Sequence, residues 1–344
     1  MKAVVLEAFG DISQLKLKEV EKPEPRRGEI RIRIKAVGFN PVDFKIRKGV
    51  FGGQTPLILG ADCSGVIDAV GEESKGFDVG EEVYAMAFGN SSNGSYAEYL
   101  CLPVEFAAKK PKNLTFQQAA AIPLSGLTAY RGVIASFAIK NGDAIFIAGA
   151  GGGVGSIAVE MAKFAGAKRI FTVAGSHSSS DFLQKEMGVK KEDILIYEGL
   201  SHEQMRQKLL AMHQDRLFDA TFDFVGGEMK KLCLDLTAHS GHFVSAVPEN
   251  PPFEFPVWAR GTLCFNRNLS LHFIFVGAES YSGSKEALSI YSNHLNQITK
   301  LLENSSIRPT PIQTLGELKL ETVVEAHRLL ETGKVKGKLV MQIS

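Results

Sequence analysis

Ile145-Phe146-Ile147-Ala148-Gly149-Ala150-Gly151-Gly152-Gly153-Val154-Gly155 decides how this chain is read. A short apolar strand, 144–148, runs into a glycine cluster, and the stretch 156–164 behind it has helical character. Glycines there let the chain turn sharply, bring backbone N–H groups close to a pyrophosphate and let the helix pack against the sheet. The spacing Gly149-x-x-Gly152-x-x-Gly155 fits the helix start better than the imperfect G-x-G-x-x-small reading through Gly151, Gly153 and Ser156. A tight strand–helix turn without a ligand is the plain alternative. Position between strand and helix favours a dinucleotide held by Gly151, Gly152, Gly153, Val154 and Gly155.

Moving outward, 169–174 reads as the next strand, and its end bears on which dinucleotide is held. A carboxylate there would accept hydrogen bonds from adenosine-ribose hydroxyls and repel a 2′-phosphate. Gly175-Ser176-His177-Ser178-Ser179-Ser180 offers none before Asp181, which predicts NADPH, with Gly175, Ser176, His177 and Ser178 as phosphate-side candidates. A serine-rich helix cap beside an exposed histidine would leave the same trace. Lys168 and Arg169 read as flanking surface residues.

Further strands at 193–197, 220–225 and 241–246 alternate with helical stretches. That rhythm predicts an open, doubly wound parallel sheet, because each crossover helix covers a face and returns the chain for parallel pairing. The first 120 residues differ. Runs 15–20, 29–37, 64–70, 82–86 and 96–100 are brief and strand-like, the first two alternating with period two, and Asn93-Gly94 supplies a turn. This is barrel or sandwich material. Helical character at 322–332 and a strand at 338–343 suggest a terminal segment that returns to the first domain.

With 344 residues, 44% apolar and 22% charged, the chain suits two ordinary globular domains. A formal net charge of +1 gives no general field for gathering nucleic acid or anionic lipid. The start lacks a signal-like apolar region and no run approaches a membrane span, so a cytoplasmic protein with neither nucleic-acid nor membrane partners is expected. The scattered Cys63, Cys101, Cys233 and Cys264 have no structural-zinc spacing, and no metal is expected.

Two polar turns are candidates for the reaction centre. Gly38-Phe39-Asn40-Pro41-Val42-Asp43 ends a strand with an amide that donates and accepts; turn stabilisation by Asn40 and helix capping by Asp43 are the plain readings. In Pro123-Leu124-Ser125-Gly126-Leu127-Thr128, Ser125 and Thr128 are candidates for contact with a nicotinamide or its ribose, against simple helix capping.

These fragments, in this order, resemble the medium-chain dehydrogenase/reductase superfamily, in particular its zinc-independent quinone oxidoreductase group. Residues 38–43 resemble its G-x-N-P-x-D segment, 60–71 its G-x-D-x-x-G-x-V-x-x-V-G segment, and 123–130 its P-L-x-G-x-T-A-Y junction. The glycine turn and the terminal 333–340 complete the series, so the likeness covers essentially the whole chain. It implies a GroES-like catalytic domain (1–122), a Rossmann NADPH-binding domain (123–307) and a C-terminal return (308–344). It also implies NADPH in an interdomain cleft, with nicotinamide near Asn40, Ser125 and Thr128. Zinc-bearing relatives use a Cys-His/Glu ligand pattern; here Asn40 stands in the region of their first cysteine and Ala61-Asp62 replaces their His-Glu pair. The tyrosine that some enoyl reductases use as an acid is also absent, since the neighbourhood holds Phe44, Lys45 and Phe51.

The expectation is therefore hydride transfer from NADPH to a small conjugated carbonyl or quinone, with Asn40 stabilising the developing oxyanion and also contacting the cofactor. An alkenal, enone or enoyl double-bond reductase is the near alternative, and a non-catalytic NADPH-binding module the distant one. The apolar run 269–276 reads as an edge strand, which with the resemblance suggests a homodimer. Residues 248–258 read equally as pocket lining or as a surface connection, and Trp258 as a core or subunit contact ahead of packing over the substrate.

Overall fold

A computed structural model describes residues 1–88, 94–249 and 262–344. Asn93 of the expected turn and most of 248–258, Trp258 included, lie outside the described residues. Two compact units divide the chain: Met1–Leu127 with Val276–Ser344, and Thr128–Phe275.

The first unit is organised by the ten-residue strand Glu29–Gly38. Its alternation puts Ile30, Ile32 and Ile34 in the core, each no more than 1% exposed. Along its length it pairs antiparallel with Asp62–Val70, Tyr99–Pro103 and Lys338–Gln342. The last pairing is the expected return of the terminus, with Val340 opposite Gly38. The strand expected at 96–100 forms three residues later, because Ala97 instead bridges to Ala3.

The 19-residue helix Lys285–Glu303 buries Tyr291, Leu295, Ile298 and Leu302, one stripe at helical spacing. Tyr291 stacks on Phe106 with ring centroids 5.1 Å apart, and the Tyr84 hydroxyl donates to Leu295 O at 2.7 Å. These contacts tie the helix to the first unit. The units thus divide near 127 and 276, whereas the sequence places the boundaries at 122 and 307.

The second unit carries a six-stranded, wholly parallel sheet. Its order is Ile194–Ile196, Arg169–Ala174, Ala144–Ala148, Phe218–Asp223, Thr237–Ser245, Ser270–Phe273. Numbered along the unit this is 3-2-1-4-5-6, the doubly wound arrangement that binds ligands where the order reverses. The reversal lies between Ala144–Ala148 and Phe218–Asp223. Helix Gly153–Phe164 begins three residues before the expected 156, so the glycine cluster itself enters the helix. Helix Pro123–Ala129 runs into a π-helical turn, Tyr130–Ala135.

Candidate active site

In the second unit the turn after Ala148 is shaped by its own packing at two glycines. Gly149 has φ +84°, and a Cβ there would come within 2.9 Å of Val225 Cγ2. At Gly155 an added Cβ would lie 2.0 Å from Gly149 O. Gly151 and Gly152 differ: the nearest neighbours of an added Cβ stand at 3.8 and 3.5 Å, ordinary contact distances. The protein's packing therefore leaves room for a side chain at those two positions. Gly152 caps the helix in extended backbone, and Ser156 N–H closes the first turn on Gly152 O at 2.9 Å. The N–H groups of Gly153, Val154 and Gly155 belong to the first turn, the part of a helix without intrahelical acceptors. Their partial positive charge favours an anion.

Across the sheet reversal, Asp223 fixes the neighbouring loop by accepting from Val225 N–H (3.0 Å), Gly226 N–H (2.7 Å) and the Ser245 hydroxyl (2.8 Å). At the end of Arg169–Ala174, Gly175, His177 and Ser178 are exposed, and the half-buried Ser176 caps helix His177–Lys185 by accepting from Ser179 N–H at 3.2 Å. The helix-cap reading of this serine run is thus part of the structure. The sequence reasoning missed Tyr197, which follows Ile194–Ile196; its hydroxyl lies 3.2 Å from where a Gly175 Cβ would stand. Only the pairing of the two strands brings these residues together.

In the first unit Asn40 is the N-cap of the short helix Pro41–Arg47 and is 2% exposed. Its backbone N–H donates to Asp43 Oδ2 at 2.8 Å, the capping role read for Asp43. The Asn40 carboxamide is engaged at both ends. Nδ2 donates to Asp62 Oδ2 at 2.9 Å and to Gly38 O at 3.3 Å, while Oδ1 accepts from Lys338 Nζ at 2.5 Å. Lys338 also donates to Asp62 Oδ2 at 3.1 Å, and Asp62 Oδ1 accepts from Leu124 N–H at 2.7 Å. Burial pushes the Asp62 carboxyl up, against the pull of Lys338, the Asn40 amide and the Leu124 N–H. Ser125 is 1% exposed and its hydroxyl donates to Ala121 O at 2.8 Å, while Thr128, in the other unit, is buried. In the sequence Lys338 stands within the terminal strand and the 333–340 segment, with no site role read for it.

A second buried set adjoins the first. The Tyr96 hydroxyl donates to Asp43 Oδ2 at 2.9 Å and lies 3.2 Å from His327 Nε2. Burial raises the Asp43 carboxyl from its ordinary 3.8 to about 7. The folded protein thus holds a proton that the unfolded chain releases, and this contribution is whole below about pH 4 and lost as pH rises through 7. His327 is lowered to about 3 by burial and then by Arg47, so its contribution has the opposite sense: present above pH 6.5 and lost as pH falls through 3. Asp43→Asn removes the first slope. Thermal melts between pH 4.5 and 7.5 should show the variant gaining on the wild type as pH rises, by about 3 kcal/mol across the window. A pH-independent difference would contradict this.

Zinc was tested against the donors present. Cys63 and Cys101 are buried, and burial pushes both thiols up, Cys101 to about 12. Among the described residues no group of three or more His, Cys, Asp or Glu could hold a metal ion. Around Asn40 and Asp62 the cation is the ammonium of Lys338, and the amide–carboxylate pair is not a zinc donor set.

A doubly wound sheet with a glycine turn at its reversal, in one chain with a largely antiparallel unit, is the arrangement of a nicotinamide-dinucleotide-binding dehydrogenase or reductase. The family model of the alcohol dehydrogenase GroES-like domain matches residues 26–112, and that of the zinc-binding dehydrogenases matches 201–341. The 2-methylene-furan-3-one reductase of Solanum lycopersicum is 30% identical over 99% of this chain and 79% of that protein. The synaptic vesicle membrane protein VAT-1 homolog-like of Mus musculus is 39% identical over 163 residues, 47% of this chain but only 38% of that protein. The quinone oxidoreductase structure from Coxiella burnetii superposes with a TM-score of 0.79 at 29% identity, covering 100% of this chain and 99% of that one. The chain belongs to the medium-chain dehydrogenase/reductase superfamily, and quinone oxidoreductases are among its neighbours.

Proposed function

We propose that this oxidoreductase uses NADPH, without zinc, to reduce a small conjugated carbonyl acceptor, a quinone in the first instance. The observation that carries this reading is the glycine turn: packing accounts for Gly149 and Gly155 but not for Gly151 and Gly152, so their bare backbone serves something outside the chain. The N–H groups of Gly153, Val154 and Gly155 receive the pyrophosphate. Ser176, His177, Ser178 and the Tyr197 hydroxyl meet the 2′-phosphate where no carboxylate repels it, and Ser125 and Thr128 serve the nicotinamide end. When bound, the reduced cofactor supplies the hydride.

Asn40 contacts the cofactor and is the catalytic group that meets the acceptor's oxygen. It does so by exchanging its longest bond, the 3.3 Å contact to Gly38 O, for the oxyanion that develops during transfer. Hydride enters an enone at its β carbon and solvent protonates the α carbon; a quinone takes up hydride and a proton to give the quinol. The name of the Solanum lycopersicum relative supports the enone as a second reading. The working form is a cytoplasmic homodimer joined along the edge strand Ser270–Phe273, where Phe273 is 67% exposed. Among the described residues no helix is long and apolar enough to cross a membrane.

Anaerobic NADPH oxidation against quinones and enones, with products identified, tests the activity. Asn40→Ala should lower turnover about 100-fold while NADPH affinity stays within about threefold. Equal losses of both would remove the assignment. Binding without turnover would leave a non-catalytic module.

A further inference from the structure

The proposed role of Asn40 depends on which end of its amide faces which neighbour, and that is decided by a residue 298 positions away. Lys338 opens the terminal strand and is 4% exposed. Its backbone is held on two sides. Lys338 N–H donates to Pro311 O at 2.9 Å, and Gly337 before it has φ +63°, with room for no Cβ because Pro311 O would lie 2.2 Å away. From that anchored position Nζ reaches Asn40 Oδ1 and Asp62 Oδ2. An ammonium only donates and a carboxylate only accepts, so the oxygen of Asn40 must face Lys338 and its nitrogen Asp62. A flipped amide would set NH2 against NH3⁺ and oxygen against carboxylate. A cation on an amide oxygen also draws electron density from the nitrogen and strengthens its N–H groups as donors.

We propose that Lys338 is a positioning residue of the reaction centre: its ammonium locks the Asn40 carboxamide with Nδ2 as the donating end and adds a fixed positive charge beside the site of developing negative charge. This deepens the reading above and rests on it. The plain alternative is a buried ion pair with Asp62 that stabilises the fold and nothing more. The two differ in what happens to Asn40.

The test compares Lys338→Met, Lys338→Arg, Asn40→Ala and the Lys338→Met/Asn40→Ala double variant, each checked for fold by circular dichroism. Three readouts are taken: turnover, NADPH affinity, and hydrogen exchange of the Asn40 side-chain amide by NMR on asparagine-labelled protein. Lys338→Met should lower turnover about 100-fold with NADPH affinity within about threefold, and Lys338→Arg should recover at least about tenfold of that. In the Asn40→Ala background the same change should cost no more than about threefold, because the two act as a unit. Asn40 amide exchange should accelerate about tenfold or more in Lys338→Met. Additive losses, or unchanged exchange, would overturn the proposal. If Lys338→Met does not fold, Lys338→Gln, which keeps an N–H donor without the charge, carries the comparison. If the wild type turns over no acceptor, the proposed function fails, and amide exchange alone decides whether Lys338 sets Asn40.

Discussion

Gly155→Val is expected to weaken NADPH binding at least about 100-fold, roughly 2.7 kcal/mol. The cause is local. A Cβ at 155 meets Gly149 O at 2.0 Å, Gly149 C at 2.6 Å and Ala150 Cα at 2.7 Å, all of them backbone atoms that cannot rotate aside. Relief requires the turn to open, which would separate the N–H groups proposed to receive the pyrophosphate. The same change lowers the melting temperature, because helix Gly153–Phe164 loses its close approach to the sheet. Gly152→Ala is the informative control. The protein meets its Cβ at an ordinary 3.5 Å, so stability should hold, while a ligand lying on that backbone would be pushed away and bind about tenfold more weakly. Fluorescence titration with NADPH alongside a thermal melt separates the two effects. Unchanged affinity in Gly155→Val would remove the turn from the cofactor site.

Gly175→Asp should invert cofactor preference, lowering the NADPH:NADH ratio of kcat/KM by at least about 100-fold. It places a carboxylate at the strand end, where ribose hydroxyls of NADH would donate to it and a 2′-phosphate would be repelled. The position can take a side chain: its φ lies outside the left-handed region, and the nearest obstacle is the Tyr197 hydroxyl at 3.2 Å, the far end of a side chain that can give by a few tenths of an ångström. Steady-state kinetics with both dinucleotides decide the matter. An unchanged ratio would mean that the adenosine ribose lies elsewhere.

How much could be read from the sequence follows from the range of the forces involved. The alternation of Ile30, Ile32 and Ile34 and the strand–glycine–helix run at 144–164 are local, and the sheets form where those patterns lie. The stripe of Tyr291, Leu295, Ile298 and Leu302 is local as well, but its partners Phe106 and Tyr84 are distant in sequence, and packing on them moves the division between units from 307 to 276. Which glycines answer to packing was not legible. Gly149 and Gly152 look alike in sequence; the positive φ of Gly149 and the approach of Val225, from the loop after Phe218–Asp223, distinguish them. Lys338 is the clearest case. A lysine opening a strand is ordinarily a solvated end; here antiparallel pairing of the terminal strand with Glu29–Gly38 carries it into the core beside Asn40 and Asp62. No feature of its neighbours at 337 and 339 encodes that destination.

The most direct measurement of the central claim is an anaerobic single turnover with NADPH stereospecifically deuterated at C4 of the nicotinamide and an α,β-unsaturated ketone, followed by mass analysis of the product. With the enone the account predicts one saturated ketone per NADPH consumed and deuterium from one C4 face at the β carbon, with a quinone run in parallel one quinol per NADPH, and in both cases loss of the transfer in Gly155→Val. A folded wild-type protein that neither binds NADPH nor passes a hydride to this enone or to a quinone would contradict it.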